Sequence, residues 1–205
     1  MERRKQLVLA TAIGALLFLV GAAIYCAAQR EVPALIDPRG HPSIGTGAIH
    51  LVIFEDFLCP NCRAFTEEIL PHITTRYIET GLARYTMVPL AFLEGSKPLA
   101  NAALGVYAQA PNQFLPFVQE VLRKESLQTE KMLLVAHRIG GIDLDLLAEC
   151  IERRLYYDAL EGNLHWAKKL MGAKFGTPAL FINGIPTATT SFEEIASRID
   201  QLEVK

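Results

Sequence analysis

Two cysteines separated by two residues, Cys59 and Cys62 in the stretch FEDFLCPNCRAF, are the side chains best placed to do chemistry in this chain. Thiols at that spacing can close a disulfide on one another, exchange it with other thiols, or supply half of a metal site. Pro60 follows Cys59 directly, and proline is favoured at the first helical position, where its missing N–H would have had no partner. This predicts Cys59 as the N-cap of a helix. Its sulfur then faces the unpaired N–H groups of Asn61 and Cys62 and the positive end of the helix dipole. Both effects favour the thiolate, which in such motifs forms with a pKa of roughly 3.5–7.5 against about 8.5 for a free cysteine. Cys62, one turn further in, is expected to be buried and to act as the resolving thiol, which attacks a mixed disulfide.

The metal reading is weaker. Structural zinc needs four ligands, and the chain has no second CxxC and no closely spaced histidine pair. Cys150 and His165 are the only distant partners to consider, and two thiolates alone suit a soft ion such as Cu(I). No metal and no cofactor is expected. Cys150, in LAECIERR, reads as a small buried hydrophobe. The five histidines follow no ligand spacing, and Trp166 with Tyr156, Tyr157 and Leu170 reads as a packing stripe.

Stepping outward, the elements that hold the thiols have distinct signatures. IHLVIFEDF, from Ile49, is β-branched, aromatic and almost continuously apolar, which predicts a buried central strand ending just before Cys59. A helical pattern runs from Pro60 to about Thr80, with Phe65, Ile69, His72, Ile73 and Tyr77 on one face. Gly81 ends it, and ARYTMVPLAF forms a second strand. Residues 96–172 carry helical periodicity throughout, with breaks expected at Pro111, Gly140-Gly141 and Gly162. PALFING and IPTAT return to strand chemistry, and SFEEIASRIDQL closes the chain as a helix with Ser191 and Glu194 at capping-box spacing. The order is β-α-β, a helical block, β-β-α: one α/β domain with an all-helical insertion.

The N-terminus bears on location. Arg3, Arg4 and Lys5 precede 22 uncharged residues, Leu7 to Ala28. A helix of that length crosses a hydrocarbon core of roughly 30 Å, and its flanking positive charges stay cytoplasmic. Residues 1–28 are thus a membrane anchor or a signal peptide cleaved after Cys26-Ala27-Ala28, the length favouring the uncleaved anchor. Residues 29–47, with three prolines and three glycines, read as a tether, and residues 48–203 as the domain. Either way the domain faces an extracytoplasmic compartment, periplasmic in a cell with two membranes, where disulfide chemistry is available. The formal net charge of -2 and the absence of a basic run after residue 30 argue against nucleic acid as a partner.

FEDFLCPNCRAF, followed by GTPALFING, resembles the DsbA-like branch of the thioredoxin superfamily, over roughly Ser43 to Leu202. The resemblance implies a thioredoxin-like fold with a helical insertion between its second and third strands, and a redox-active disulfide between Cys59 and Cys62. It implies that Pro60 and Asn61 tune that pair, that Pro178 is a cis-proline packed against it, and that Thr177 offers its backbone to an extended substrate. It further implies thiol–disulfide exchange with unfolded or partly folded proteins. An oxidase would be reoxidised by a DsbB-like or VKOR-like membrane quinone reductase; an isomerase or reductase would be served by a DsbD-like donor. Proline after the first cysteine favours the oxidase, and a tethered chaperone or metallochaperone using the same cleft is the alternative from another class.

Two departures qualify the likeness. Asn61 stands where strongly oxidising relatives have histidine, so Cys59 should be less acidic than theirs. Ile53 stands six residues before Cys59, where thioredoxin-like reductases carry a buried acid. Glu55 and Asp56 lie nearer, and as strand-end carboxylates they are expected to be solvated, with proton transfer to Cys62 as the other option.

Overall fold

A computed structural model describes residues 13–22, 36, 40–123, 128–187 and 190–203. The chain divides into two compact units, Met1–Pro33 and Ala34–Lys205. In the first, residues 13–22 are helical; the rest of the predicted span Leu7–Ala28 lies outside the described residues. No described helix is long and apolar enough to cross a membrane.

The second unit is built on a five-stranded sheet of order β1-β3-β2-β4-β5. Strand β1 is Ser43–Ile44, β2 Ile49–Asp56, β3 Ala83–Leu90, β4 Ala179–Ile182 and β5 Ile185–Pro186. Strands β2 and β3 run parallel, while β1, β4 and β5 join antiparallel. The continuous apolar run of β2 has the cause expected of a strand covered on both faces. Leu51 and Ile53 enter one buried cluster and Val52 and Phe54 the other. Each such side chain contributes about 1.5–3 kcal/mol when fully buried. Strand β1 corrects one expectation. Ser43 and Ile44, assigned to the tether, pair with Thr86 and Tyr85, and the Pro42 carbonyl accepts from Met87 N–H at 2.8 Å. The domain therefore begins several residues before 48.

Helix α1 follows β2 as four consecutive segments, Pro60–Ala64, Phe65–Ile69, Leu70–Ile73 and Thr74–Ile78, the second and fourth π-helical. Pro71 gives a local reason for the first widening. It has no N–H for the carbonyl four residues back, and the preceding Leu70 N–H reaches to Phe65 O. The insertion comprises α2 Ser96–Gln109, α3 Phe114–Leu122, α4 Thr129–Ile139, α5 Leu144–Arg153 and α6 Tyr157–Met171. Asp143 caps α5, accepting from Asp145 N–H at 3.0 Å and Leu146 N–H at 3.1 Å. Gly162 does not interrupt α6, since a single helical glycine costs only about 1 kcal/mol relative to alanine. Helix α7, Phe192–Glu203, closes the domain, with Glu194 N–H 3.4 Å from Ser191 Oγ.

In the insertion, α2 and α5 approach closely at Gly105, where a Cβ would stand 2.6 Å from Cys150 Sγ. Cys150 is buried there, its S–H donating to Asn101 O at 3.6 Å while Asn101 Nδ2 donates to Cys150 O at 2.9 Å. Burial raises its pKa, as fits a packing thiol. The anticipated aromatic stripe is divided between two environments. Trp166 packs edge-on against Phe54 at 5.1 Å, whereas Tyr156 lies against the other core cluster.

Candidate active site

Both thiols sit at the carboxyl end of β2, where the chain turns into α1. Cys59 is the N-cap in extended conformation (φ -74°, ψ 121°) with Pro60 after it, and Arg63 N–H closes the first helical bond onto its carbonyl at 3.1 Å. It is 8% exposed, and Cys62 is fully buried beneath it. Both are free thiols here, as is Cys150.

Across the sheet, the chain entering β4 carries Thr177 and Pro178, joined by a cis peptide bond. The Cys59 thiol donates to the Thr177 carbonyl at 3.4 Å. The fold therefore brings Cys59, Pro60, Asn61, Cys62, Thr177 and Pro178 together from positions 118 residues apart. A groove of about 630 Å³ runs beside them, with Asn61, Ala64 and Glu68 on one wall and Thr177, Pro178 and Thr187 among those opposite. Phe92 packs edge-on at 5.3 Å against Phe175, two residues before Thr177. A larger cavity of about 1020 Å³ lies at the far end of β4, between the β4–β5 turn and α7, and contains no cysteine.

The two sulfurs are driven in opposite directions. For Cys59, burial opposes ionisation, but the Thr177 side chain, the Cys62 N–H and side chain, and the Asn61 N–H outweigh it, so its pKa is lowered. These helix-end N–H groups act on the sulfur without closing a side-chain cap hydrogen bond. For Cys62, burial dominates and the neighbouring Glu55 adds to it, so its pKa is strongly raised. One thiol is poised to be an anion and the other to keep its proton.

The strand-end acids overturn the expectation of solvated carboxylates, because both are fully buried. Glu55 is pushed up to about 8, chiefly by burial, with Thr66 opposing and Cys59 reinforcing the rise. Its hydrogen bond among the described residues is a long one, from Thr66 Oγ1 to Oε2 at 3.5 Å. Oε1 has no partner, nor has the buried Tyr85 hydroxyl. Tyr85 in turn is raised by burial and by the charges of Glu55 and Cys62. Asp56 is instead held by several donors: Oδ1 accepts from Leu58 N–H at 2.9 Å, and Oδ2 from Phe92 N–H at 2.9 Å and Leu93 N–H at 3.0 Å, with Ser96 Oγ also at 3.0 Å, its one hydrogen shared with Leu93 O at 2.8 Å. Sequence position alone concealed both acids, since the groups that enclose them lie up to 40 residues away. Among the described residues, no cluster of three or more metal-ligating side chains occurs.

Comparison with known proteins agrees with this geometry. A family model described as thioredoxin matches residues 44–201. A Rickettsia typhi protein provisionally named protein-disulfide oxidoreductase is 25% identical over 77% of this chain and 60% of its own length. Disulfide bond formation protein D of Bacillus subtilis is 23% identical over 80% of this chain and 77% of its own. Among solved structures, DsbA of Chlamydia trachomatis superposes with a TM-score of 0.74 at 26% identity, covering 84% of this chain and 97% of that one. Oxidised BdbD of Bacillus subtilis has the same fold, with a TM-score of 0.75 at 21% identity over 84% and 98% of the two chains. This chain spans only 60% and 58% of the first two Rickettsia relatives.

Proposed function

The chain belongs to the thioredoxin family, in its DsbA-like branch, and on that premise we propose that it is an extracytoplasmic thiol–disulfide oxidoreductase that oxidises protein substrates through Cys59 and Cys62. One observation carries this reading: Cys59 caps the helix N-terminus, where a thiolate is favoured, while Cys62 is fully buried, where a thiol is favoured. In the oxidising direction, a substrate thiolate attacks Cys59 Sγ of the Cys59–Cys62 disulfide. The S–S bond breaks, its electron pair goes to Cys62, and Cys62 takes up a proton. Glu55, with a pKa of about 8, holds a proton beside that leaving sulfur at neutral pH and is its donor. A second substrate thiolate then attacks the substrate sulfur of the mixed disulfide and releases Cys59 as a stabilised thiolate. Two electrons stay on the CPNC dithiol and pass to a DsbB-like or VKOR-like membrane quinone reductase. Thr177 meets an extended substrate with its backbone, next to Pro178.

Stabilising the Cys59 thiolate stabilises the reduced protein and so makes it an oxidant. Asn61 contributes no charge, which limits the effect. The reduction potential of the pair tests the reading. A value less oxidising than about -120 mV but well above about -270 mV is expected, whereas one near the thioredoxin figure assigns a reductase. Replacing Cys62 with serine should trap substrates as mixed disulfides on Cys59, and failure to trap any would remove the assignment of Cys59. The positive cluster and 22 uncharged residues at the N-terminus support a membrane anchor, tested by extraction of the full chain with carbonate.

A further inference from the structure

The thiol chemistry above makes no use of Asp56, yet this is one of the most completely bonded side chains in the domain. Of its two oxygens, Oδ1 accepts one backbone N–H and Oδ2 two, and the Ser96 hydroxyl, shared with Leu93 O, makes the fourth donor. None of the four is cationic. Three are backbone N–H groups and one is the Ser96 hydroxyl, so the group does not serve as half of an ion pair. The donors come from two separate segments: the turn that delivers Cys59, and the loop between β3 and α2 that carries Phe92. The backbone carbonyl of Asp56 adds a third tie, accepting from Cys59 N–H at 2.9 Å.

We propose that Asp56 is the positioning residue of Cys59: its buried carboxyl group joins the Leu58–Cys59 turn to the Phe92–Ser96 segment and so holds Cys59 in the capping geometry. The inference rests on the reading of Cys59 as the reactive sulfur. It also binds two parts of the site into one unit, since the same oxygen that holds Phe92 N–H fixes the loop whose ring packs on Phe175. Asparagine cannot substitute. It has one oxygen, so if that oxygen keeps the three donors at Oδ2, an amide NH₂ faces Leu58 N–H and the tie to the cysteine turn is lost.

The test is Asp56→Asn in the full chain, reading the thiolate absorbance of reduced protein against pH together with the melting temperature. Loss of positioning moves Cys59 away from the helix-end N–H groups, and about tenfold less thiolate is expected at a given pH, one pKa unit. If Asp56 acted only through its charge, removing it would favour the thiolate instead, because like charges disfavour ionisation. If it served only to hold the fold, the melting temperature would fall and the titration would not move. Either result overturns the proposal. Ser96→Ala leaves the charge in place, removes the hydroxyl shared between Asp56 Oδ2 and Leu93 O, and covers the case in which Asp56→Asn does not fold. It should raise the Cys59 pKa in the same direction by a smaller, several-fold change, and an unmoved titration would again refute the joint. These readings need no substrate, so they stand apart from the exchange assay: a wild-type protein that fails to exchange disulfides would sink the proposed function and leave this titration interpretable.

Discussion

Replacing Glu55 with glutamine should flatten the stability of the reduced protein against pH. Glu55 is fully buried and its pKa rises from an ordinary 4.5 to about 8. The folded state therefore keeps a proton that the unfolded chain releases above about pH 4.5, so stability is lost as pH rises from there through about 8. At about 1.4 kcal/mol per pKa unit the full loss is on the order of 4–5 kcal/mol, a large part of a typical domain stability of about 5–15 kcal/mol. His50 works in the opposite sense. Burial, aided by Arg84, lowers its pKa to about 4, so its contribution grows as pH rises to about 6.5 and is complete above that. The interval from about pH 6.5 to about pH 8 thus leaves out His50, and comparison with the variant reads Glu55 together with its coupling to Cys59 and Cys62. Urea denaturation across that interval is the assay. About 1.5–2 kcal/mol of that loss falls inside the interval, so with a slope of about 1–3 kcal/mol per molar urea the wild-type midpoint should fall by roughly 0.5–2 M relative to Glu55→Gln. Parallel profiles would show that Glu55 ionises without penalty, and the proton-donor role would go with it.

Asn61→His should place an imidazolium near Cys59, lower its pKa and make the protein a stronger oxidant; an unchanged potential would show that this position does not reach the sulfur. Gly105→Ala should destabilise by about 1–3 kcal/mol, the usual cost of overpacking, because the new methyl meets Cys150 Sγ at 2.6 Å. Thermal melts of Gly105→Ala with and without Cys150→Ala check the cause, since removing the sulfur should recover part of the loss. Cys150→Ala alone should leave disulfide exchange intact, and abolished exchange would mean the redox pair is misassigned.

What could be read in advance followed from local physics. The unbroken apolar run of β2 demands cover on both faces, and the Cys59-Pro60 pair writes a helix start, so strand, turn and thiols were legible together. The helical insertion was equally plain from its periodicity. Strand β1 was not, because two residues between Pro42 and Gly45 carry no period, and their pairing is decided by Tyr85 and Thr86 some forty positions on. The burial of Glu55 and Asp56 was hidden for the same reason. A carboxylate at a strand end reads as solvated until Thr66 or the Phe92–Ser96 segment folds over it. Resemblance pointed to Thr177 and Pro178, which composition alone would not have singled out.

If the protein acts on unfolded chains as proposed, its short outer strands have a consequence. An exposed strand edge is a template on which another extended polypeptide can add itself and aggregate. Here β3, the long strand on one side, is capped by the two residues of β1, and the opposite rim is β5, two residues long and ending in the exposed Pro186, which has no N–H to offer. Among the described residues each outermost strand is only two residues long, a short template for another chain. On the proposed function an extended client would meet backbone at Thr177 instead, beside Cys59, so its contact would be brief, limited to the bond being exchanged, and free of the sticking that would turn a folding catalyst into a seed.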